Sequence, residues 1–155
     1  MQRHHLIPLA GLLCGAAIAA QPSSNGYLVA GAGARDSKLI SEAALGGEWV
    51  IGKGFGVGGE LGAEAGHDSF GYFSANGTYH LAAATAQRKL DPFVTGGYTF
   101  GFSLFGHNAS LFNVGGGINF WLWRRVGLRA EVRDIVAHGD NSPNFLVFRG
   151  GLAFR

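Results

Sequence analysis

The sequence predicts an all-β protein, an antiparallel eight-stranded transmembrane β-barrel that follows a cleaved signal peptide. Three observations carry this reading. Beyond residue 20, apolar and polar side chains alternate with period 2 through most of the chain, the pattern of strands with a different environment on each face. Charged residues make up 14% of the 155, against about 25% in an ordinary soluble domain, so little charge is left to cover a wetted surface. Glycine supplies 27 residues, about 17% against a usual ~7%. There is no Gly-X-Y period and Pro numbers only 4, which excludes collagen and Pro-rich disorder. Twelve basic and 10 acidic residues leave a net charge of +2, too balanced to indicate a nucleic-acid partner, and none is expected.

Residues 1–20 read as the signal peptide and residues 21–155 as the barrel domain. Arg3 opens the segment, an apolar stretch runs from Leu6 to Cys14, and small residues follow to Ala20, with Ala17 and Ala19 forming an A-x-A cleavage pattern. The apolar core falls short of the ~20 residues a spanning helix needs. Cys14 is the single cysteine and leaves with the signal. Leu13 before it is not the small residue a lipoprotein signal requires. The mature chain is therefore expected to hold no disulfide or cysteine-based metal site, and no cofactor is implied.

Eight strands are expected, in order. Residues 26–34 form a strand of small residues whose facing the pattern does not assign. In 42–51, Leu45, Trp49 and Ile51 oppose Glu42 and Glu48. In 54–65, Phe55, Val57, Leu61, Ala63 and Ala65 oppose Glu60 and Glu64. In 70–83, Phe73, Ala75, Tyr79 and Leu81 oppose Tyr72, Ser74, Asn76, Thr78 and His80. In 92–102, Val94, Tyr98, Phe100 and Phe102 oppose Thr95, Gly97 and Thr99. The alternation is cleanest in 110–122, 126–135 and 145–154. There an apolar set, including Phe112, Val114, Leu128, Val132, Phe148 and Leu152, opposes Asn113, Asn119, Arg129, Glu131, Arg133 and Arg149. Most segments reach the 9–11 residues that a tilted strand needs to cross a bilayer. An even number of strands closes an antiparallel sheet without an unpaired edge.

Alternation alone leaves two arrangements. A secreted lipocalin-like barrel would turn the apolar face inward, around a small apolar ligand. Three features favour the reverse. The polar face is mostly Gly, Ala, Asn, Ser and Thr rather than the Lys and Glu of a wetted exterior, and small residues suit the cramped interior of eight strands. Aromatic residues gather near strand ends, at Trp49, Tyr72, Phe73, Phe102, Trp121, Trp123 and Phe145, as interfacial girdles do. The chain closes on alternating apolar residues with Phe154 next to last.

The stretches Asn113-Val114-Gly115-Gly116-Gly117-Ile118-Asn119-Phe120-Trp121, Val126-Gly127-Leu128-Arg129-Ala130-Glu131-Val132-Arg133-Asp134 and Phe148-Arg149-Gly150-Gly151-Leu152-Ala153-Phe154 resemble bacterial outer-membrane β-barrel domain proteins, the OmpA-like eight-stranded family. The resemblance spans residues 26–155. It implies a monomer in the outer membrane of a Gram-negative cell, surrounded by lipid, inserted by the barrel-assembly machinery, and structural, adhesive or narrowly porous in role. The family commonly ends on an aromatic residue, where this chain has Arg155.

Every glutamate falls on the polar parity, as do Arg129, Arg133 and Arg149. With that face inward, Glu48, Glu60, Glu64, Arg129, Glu131, Arg133 and Arg149 form the expected lumen charge network, in which Glu60, Glu64 and Glu131 bridge to the three arginines. Its role is a gate or a structural plug. His67, His107 and His138 fall in three successive expected outer loops, where imidazoles could gather on one rim as a metal or pH-sensitive site. Gly54 to Gly59 match G-x-G-x-x-G, but alternating residues follow rather than the helix a dinucleotide site requires. Lipid A-modifying barrel enzymes are a further alternative. The segment His138-Gly139-Asp140-Asn141-Ser142 has their residue types without a clean His-x-Ser arrangement or an orienting acid, so no catalytic residue is assigned.

Overall fold

The structure is a computed structural model and describes residues 24–35, 38–66, 69–81, 89–102, 108–137 and 144–155. The expected signal peptide lies outside these residues. Eight strands follow one another: β1 (Asn25–Arg35), β2 (Lys38–Gly52), β3 (Phe55–Ala65), β4 (Phe70–His80), β5 (Leu90–Phe102), β6 (Asn108–Trp121), β7 (Val126–Ala137) and β8 (Asn144–Phe154). Each is antiparallel to the next, and β1 pairs with β8 to close the barrel. Four strands, β2, β5, β6 and β7, extend two or more residues past one end of the expected segments. β2 begins at Lys38 because Leu39 (out) and Ile40 (in) continue its alternation and pair with Ala34 and Gly33 of β1. β5 begins at Leu90, and Pro92 is tolerated close to the strand start.

The polar parity faces inward. Glu60, Asn119, Thr99 and Arg133 are buried, whereas Leu45, Val57, Phe112 and Phe148 of the other parity stand more than half exposed. β1, unassigned from sequence, turns Tyr27 and Val29 inward and Leu28 outward. The outer wall is thus an apolar belt that water would wet only at high cost.

The expected aromatic girdle is corrected at three positions. Trp49, Phe73, Phe102 and Trp123 point outward, but Tyr72, Trp121 and Phe145 are buried in the lumen. Position near a strand end does not decide facing; parity does. Tyr72 and Trp121 share the polar parity of their strands, and Phe145 shares that of Arg149.

The lumen is also not polar throughout. At the end opposite the termini, Ile40, Leu111, Ile135, Phe145 and Val147 form a buried apolar cluster, with Phe70 edge-on to Phe145 at 6.4 Å. Charged and amide side chains fill the space between this cluster and the termini.

Glycine makes two kinds of room. The β2–β3 turn places Gly52 and Gly54 at φ 144° and 86°, conformations glycine adopts without steric cost, on either side of Lys53, which is itself left-handed at φ 50°. Inside the wall, a Cβ on Gly151 would collide with the Leu28 carbonyl oxygen across the β1–β8 seam, whereas one on Gly150, facing outward, meets nothing within 4 Å. Neighbouring substitutions should therefore part in sign. Gly151→Ala should lower unfolding stability by about 1–3 kcal/mol, as overpacking does. Gly150→Ala should leave it unchanged or raise it by up to about 1 kcal/mol, since Ala suits a strand better than Gly. Urea midpoints of the refolded barrel in micelles test this, and equal shifts would contradict the register at the closing seam.

Candidate functional site

Cross-strand pairing builds the centre of the lumen. Tyr27 of β1 stands opposite Gly46 of β2, which stands opposite Glu60 of β3. Gly46 carries no side chain, so the Tyr27 ring lies across it and its hydroxyl donates to Glu60 Oε2 at 2.9 Å. The arrangement recurs on the other side: the Tyr72 ring covers Gly62, and its hydroxyl donates to Glu42 and to Glu60 Oε1, the latter at 3.2 Å. From across the barrel, Arg133 Nη1 reaches Glu60 Oε1 at 2.9 Å and Arg149 Nη2 reaches Glu60 Oε2 at 2.7 Å. Gly115 and Gly31 leave space beside these two arginines. Glu60 thus accepts from four side chains on four other strands.

Glu131 is the second hub. Arg129 approaches its Oε2 through Nε (3.0 Å) and Nη2 (2.8 Å). Arg133 grips its Oε1 through Nε at 2.8 Å and Nη2 at 2.6 Å. The Arg129 guanidinium also lies over the rings of Phe93 (4.0 Å) and Tyr27 (4.3 Å), faces that attract a cation.

Toward the termini the network continues through Asn119. Arg129 Nη1 donates to Asn119 Oδ1 at 3.4 Å, and Asn119 Nδ2 to Asp91 Oδ2 at 3.3 Å. Asp91 and Glu48 then hold His80 from both sides, at 2.8 Å from Nδ1 and 2.5 Å from Nε2. Carboxylates only accept, so each ring nitrogen donates. Midway along β4–β6 the lining is neutral: Ser74 meets Thr99 at 2.8 Å, and Asn113 Nδ2 donates to Thr99 at 2.9 Å and Asn76 at 3.0 Å.

The structure therefore brings Glu60, Arg129, Glu131, Arg133 and Arg149 into one cluster. Glu64 is buried on the same face, opposite Glu42 in the β2–β3 register. Glu48 lies apart, against His80. Three participants carry no sequence motif. Tyr27 sits on the strand whose facing was unassigned, Tyr72 was assigned to a girdle, and Asp91 precedes the expected start of its strand. Extending the parity of Thr95, Gly97 and Thr99 back past residue 92 would have found Asp91. His67, His107 and His138, and the segment 138–142, lie outside the described residues. Among the described residues no group of three or more His, Cys, Asp or Glu side chains is arranged to hold a metal. Gly54–Gly59 form a turn and the start of β3.

No family model and no curated protein matches this sequence. Solved structures do. Neisserial surface protein A is similar with a TM-score of 0.64 and 10% identity, over 84% of this chain and 94% of that one. The outer membrane enzyme PagL has a TM-score of 0.62 and 14% identity, over 83% and 98%. The N-terminal β-barrel domain of Pseudomonas aeruginosa OprF has a TM-score of 0.60 and 12% identity, over 85% and 98%. At these identities the shared property is the eight-stranded barrel fold.

Charges this deep are stable only in mutual contact. Removing one partner of a buried pair typically costs about 3–5 kcal/mol. Arg133→Ala, which strands both Glu60 and Glu131, should show a loss of that size. Tyr27→Phe, which removes one of four donors to Glu60, should cost about 1.5–3 kcal/mol. Equilibrium unfolding followed by tryptophan fluorescence checks both. An Arg133→Ala barrel as stable as the parent would mean that the network does not hold the strands together.

Proposed function

We propose that this chain is an integral protein of the bacterial outer membrane, a monomeric barrel whose lumen is plugged and whose role is structural or adhesive. The observation that carries the reading is the pairing of an apolar outer wall with an inner face of cross-linked charges. Lipid is the solvent such a wall suits, and charges turned toward lipid would cost up to ~2–4 kcal/mol each near the midplane. The fold is that of outer-membrane proteins from Neisseria and Pseudomonas, which supports the location, lipid as the surrounding partner and insertion by the barrel-assembly machinery.

Three successive fillings support a plug rather than a conducting path: the apolar cluster around Ile40 and Phe145, the ionic layer around Glu60 and Glu131, and the His80 clasp. The role we assign is non-enzymatic. A nucleophilic triad needs a histidine between an acid and a hydroxyl or thiol. His80, the histidine among the described residues, has acids on both sides.

Membrane extraction and electrophoresis test the location. The protein should partition with detergent-solubilised outer membrane and change gel mobility on boiling. Recovery from soluble periplasm with no mobility change would favour the lipocalin-like alternative. In planar bilayers the folded barrel should show no conductance steps, and Arg133→Ala should stay closed while losing stability. Steps in the parent protein would replace the plug with a narrow pore, and steps appearing only in Arg133→Ala would make the arginine a gate.

A further inference from the structure

The end of the barrel that carries the termini is charged with one sign. The three connections between strands at this end, 52–54, 81–89 and 122–125, contain Lys53, Arg88, Lys89, Arg124 and Arg125 and no acid, and Arg155 follows β8. Lys53, Lys89, Arg124 and Arg125 are exposed. The acids nearest this end, Glu48 and Asp91, point inward and are held by His80. Asp91 also acts on Arg155, whose guanidinium lies over the Trp121 ring at 3.8 Å, but neither acid pairs with the exposed cations of the turns. A rim of cations without counter-charges complements phosphate.

An apolar groove of about 520 Å³ opens on the outer wall above part of this rim. Its floor is formed where Gly77 of β4 lies opposite Gly96 of β5. Val57 and Val114 flank the floor, and Phe55 and Tyr79, in contact at 4.6 Å between ring centroids and tilted by 47°, stand toward the rim. Lys53 is two residues from both Ile51 and Phe55, which line the groove. Its turn is fixed against β4, since the His80 N–H donates to the Gly54 carbonyl at 2.8 Å. Lys89 stands at the foot of β5, beside Leu90. A cation therefore marks the mouth of an apolar slot, and a second lies along the same rim.

We propose that this groove binds one anionic phospholipid, its phosphate held by Lys53 and Lys89 and an acyl chain lying over Gly77 and Gly96. The site rests on the reading of the chain as a membrane barrel. It adds to that reading a fixed lipid position and a headgroup preference. The missing Cβ atoms make the slot, and exposed lysine side chains are long and flexible enough to carry their ammonium groups to the headgroup plane. The opposite rim supplies a control in Lys38, which is exposed and remote from the groove.

The full folded chain, loaded with equal amounts of phosphatidylglycerol and phosphatidylcholine of matched acyl chains, is released from detergent in native mass spectrometry. One phosphatidylglycerol should be retained in preference. Lys53→Gln should lower that preference about fivefold, the factor expected from one surface cation, and Lys38→Gln should leave it unchanged. Gly77→Leu should displace both lipids. The strand accepts that change, because a Cβ at Gly77 has its nearest neighbour at 3.8 Å. Equal retention of the two lipids would overturn the proposal, as would equal effects of Lys53→Gln and Lys38→Gln. Unchanged retention in Gly77→Leu would also overturn it, since only the headgroup would then be bound. The heat-dependent mobility of each variant, measured in phosphatidylcholine alone, reports separately on folding and membrane insertion.

Discussion

Glu60 accepts hydrogen bonds from Tyr27, Tyr72, Arg133 and Arg149, and the interior is arranged around that one buried carboxylate. An isolated carboxylate in so narrow a space would lose its hydration without replacement, a cost of several kcal/mol. Its compensation comes from β1, β4, β7 and β8, strands that do not pair with one another except at β7–β8 and the β1–β8 seam. The same contacts that neutralise the charge therefore tie opposite walls of the barrel together. The pleat alone would hold neighbouring strands, but it would not fix the cross-section. The glycines follow from this requirement. Tyr27 and Tyr72 reach Glu60 because Gly46 and Gly62 beneath them have no side chain, and Arg133 and Arg149 fit because Gly115 and Gly31 make room.

Buried acids outnumber arginines in the lumen, with Glu42, Glu48, Glu60, Glu64, Asp91 and Glu131 facing Arg129, Arg133 and Arg149. Neutral donors make up part of the difference. The two tyrosine hydroxyls supply bonds to Glu42 and Glu60, and Asn119 supplies one to Asp91. His80 brings a further donor pair to Glu48 and Asp91 at the termini end. Such a network resists small insults and fails at its hubs: a peripheral donor can be spared, but an arginine shared by two carboxylates cannot. That is the behaviour of a structural plug, and the apolar cluster at the other end closes the lumen by different physics.

Most of the fold was legible in the sequence because one environment lies on each side of a single-layer wall, so period-2 alternation maps directly onto facing. Strands such as β6, β7 and β8, whose outward residues are apolar apart from Ser110 and Asp134 toward the end opposite the termini, gave strand and facing together. β1 gave no facing because Ala30, Ala32 and Ala34 on one parity and Gly31 and Gly33 on the other differ too little to carry contrast. Tyr72 and Trp121 were misplaced because amphipathic aromatics suit both a girdle and a lumen, and Phe145 because an apolar ring also fits the apolar end of this lumen; in all three, strand-end position was weighed above parity. The charged members of the site were legible by type and parity. Their pairing was not, since it depends on which side chains meet across the barrel. Glu48 shares its parity with Glu42, but six residues along a strand carry it about 20 Å down the lumen, out of reach of the arginine cluster and within reach of His80.

The two ends of the barrel differ in a way that follows from the same constraint. Acids at the termini end are consumed inward by His80, so the cations of the turns there are left without partners among the described side chains of that rim. A wall that must be apolar for lipid and thin at Gly77 and Gly96 then meets a rim that must attract phosphate. The charge that stabilises the lumen and the charge that faces the headgroups are thus coupled: drawing Glu48 and Asp91 into the interior leaves Lys53, Lys89, Arg124 and Arg125 as the exposed charges among the described residues of those turns. A barrel of this size has few residues to spare, and here the same segregation of acids inward and cations to the turns serves both the packing of the interior and the orientation of the wall against a lipid surface.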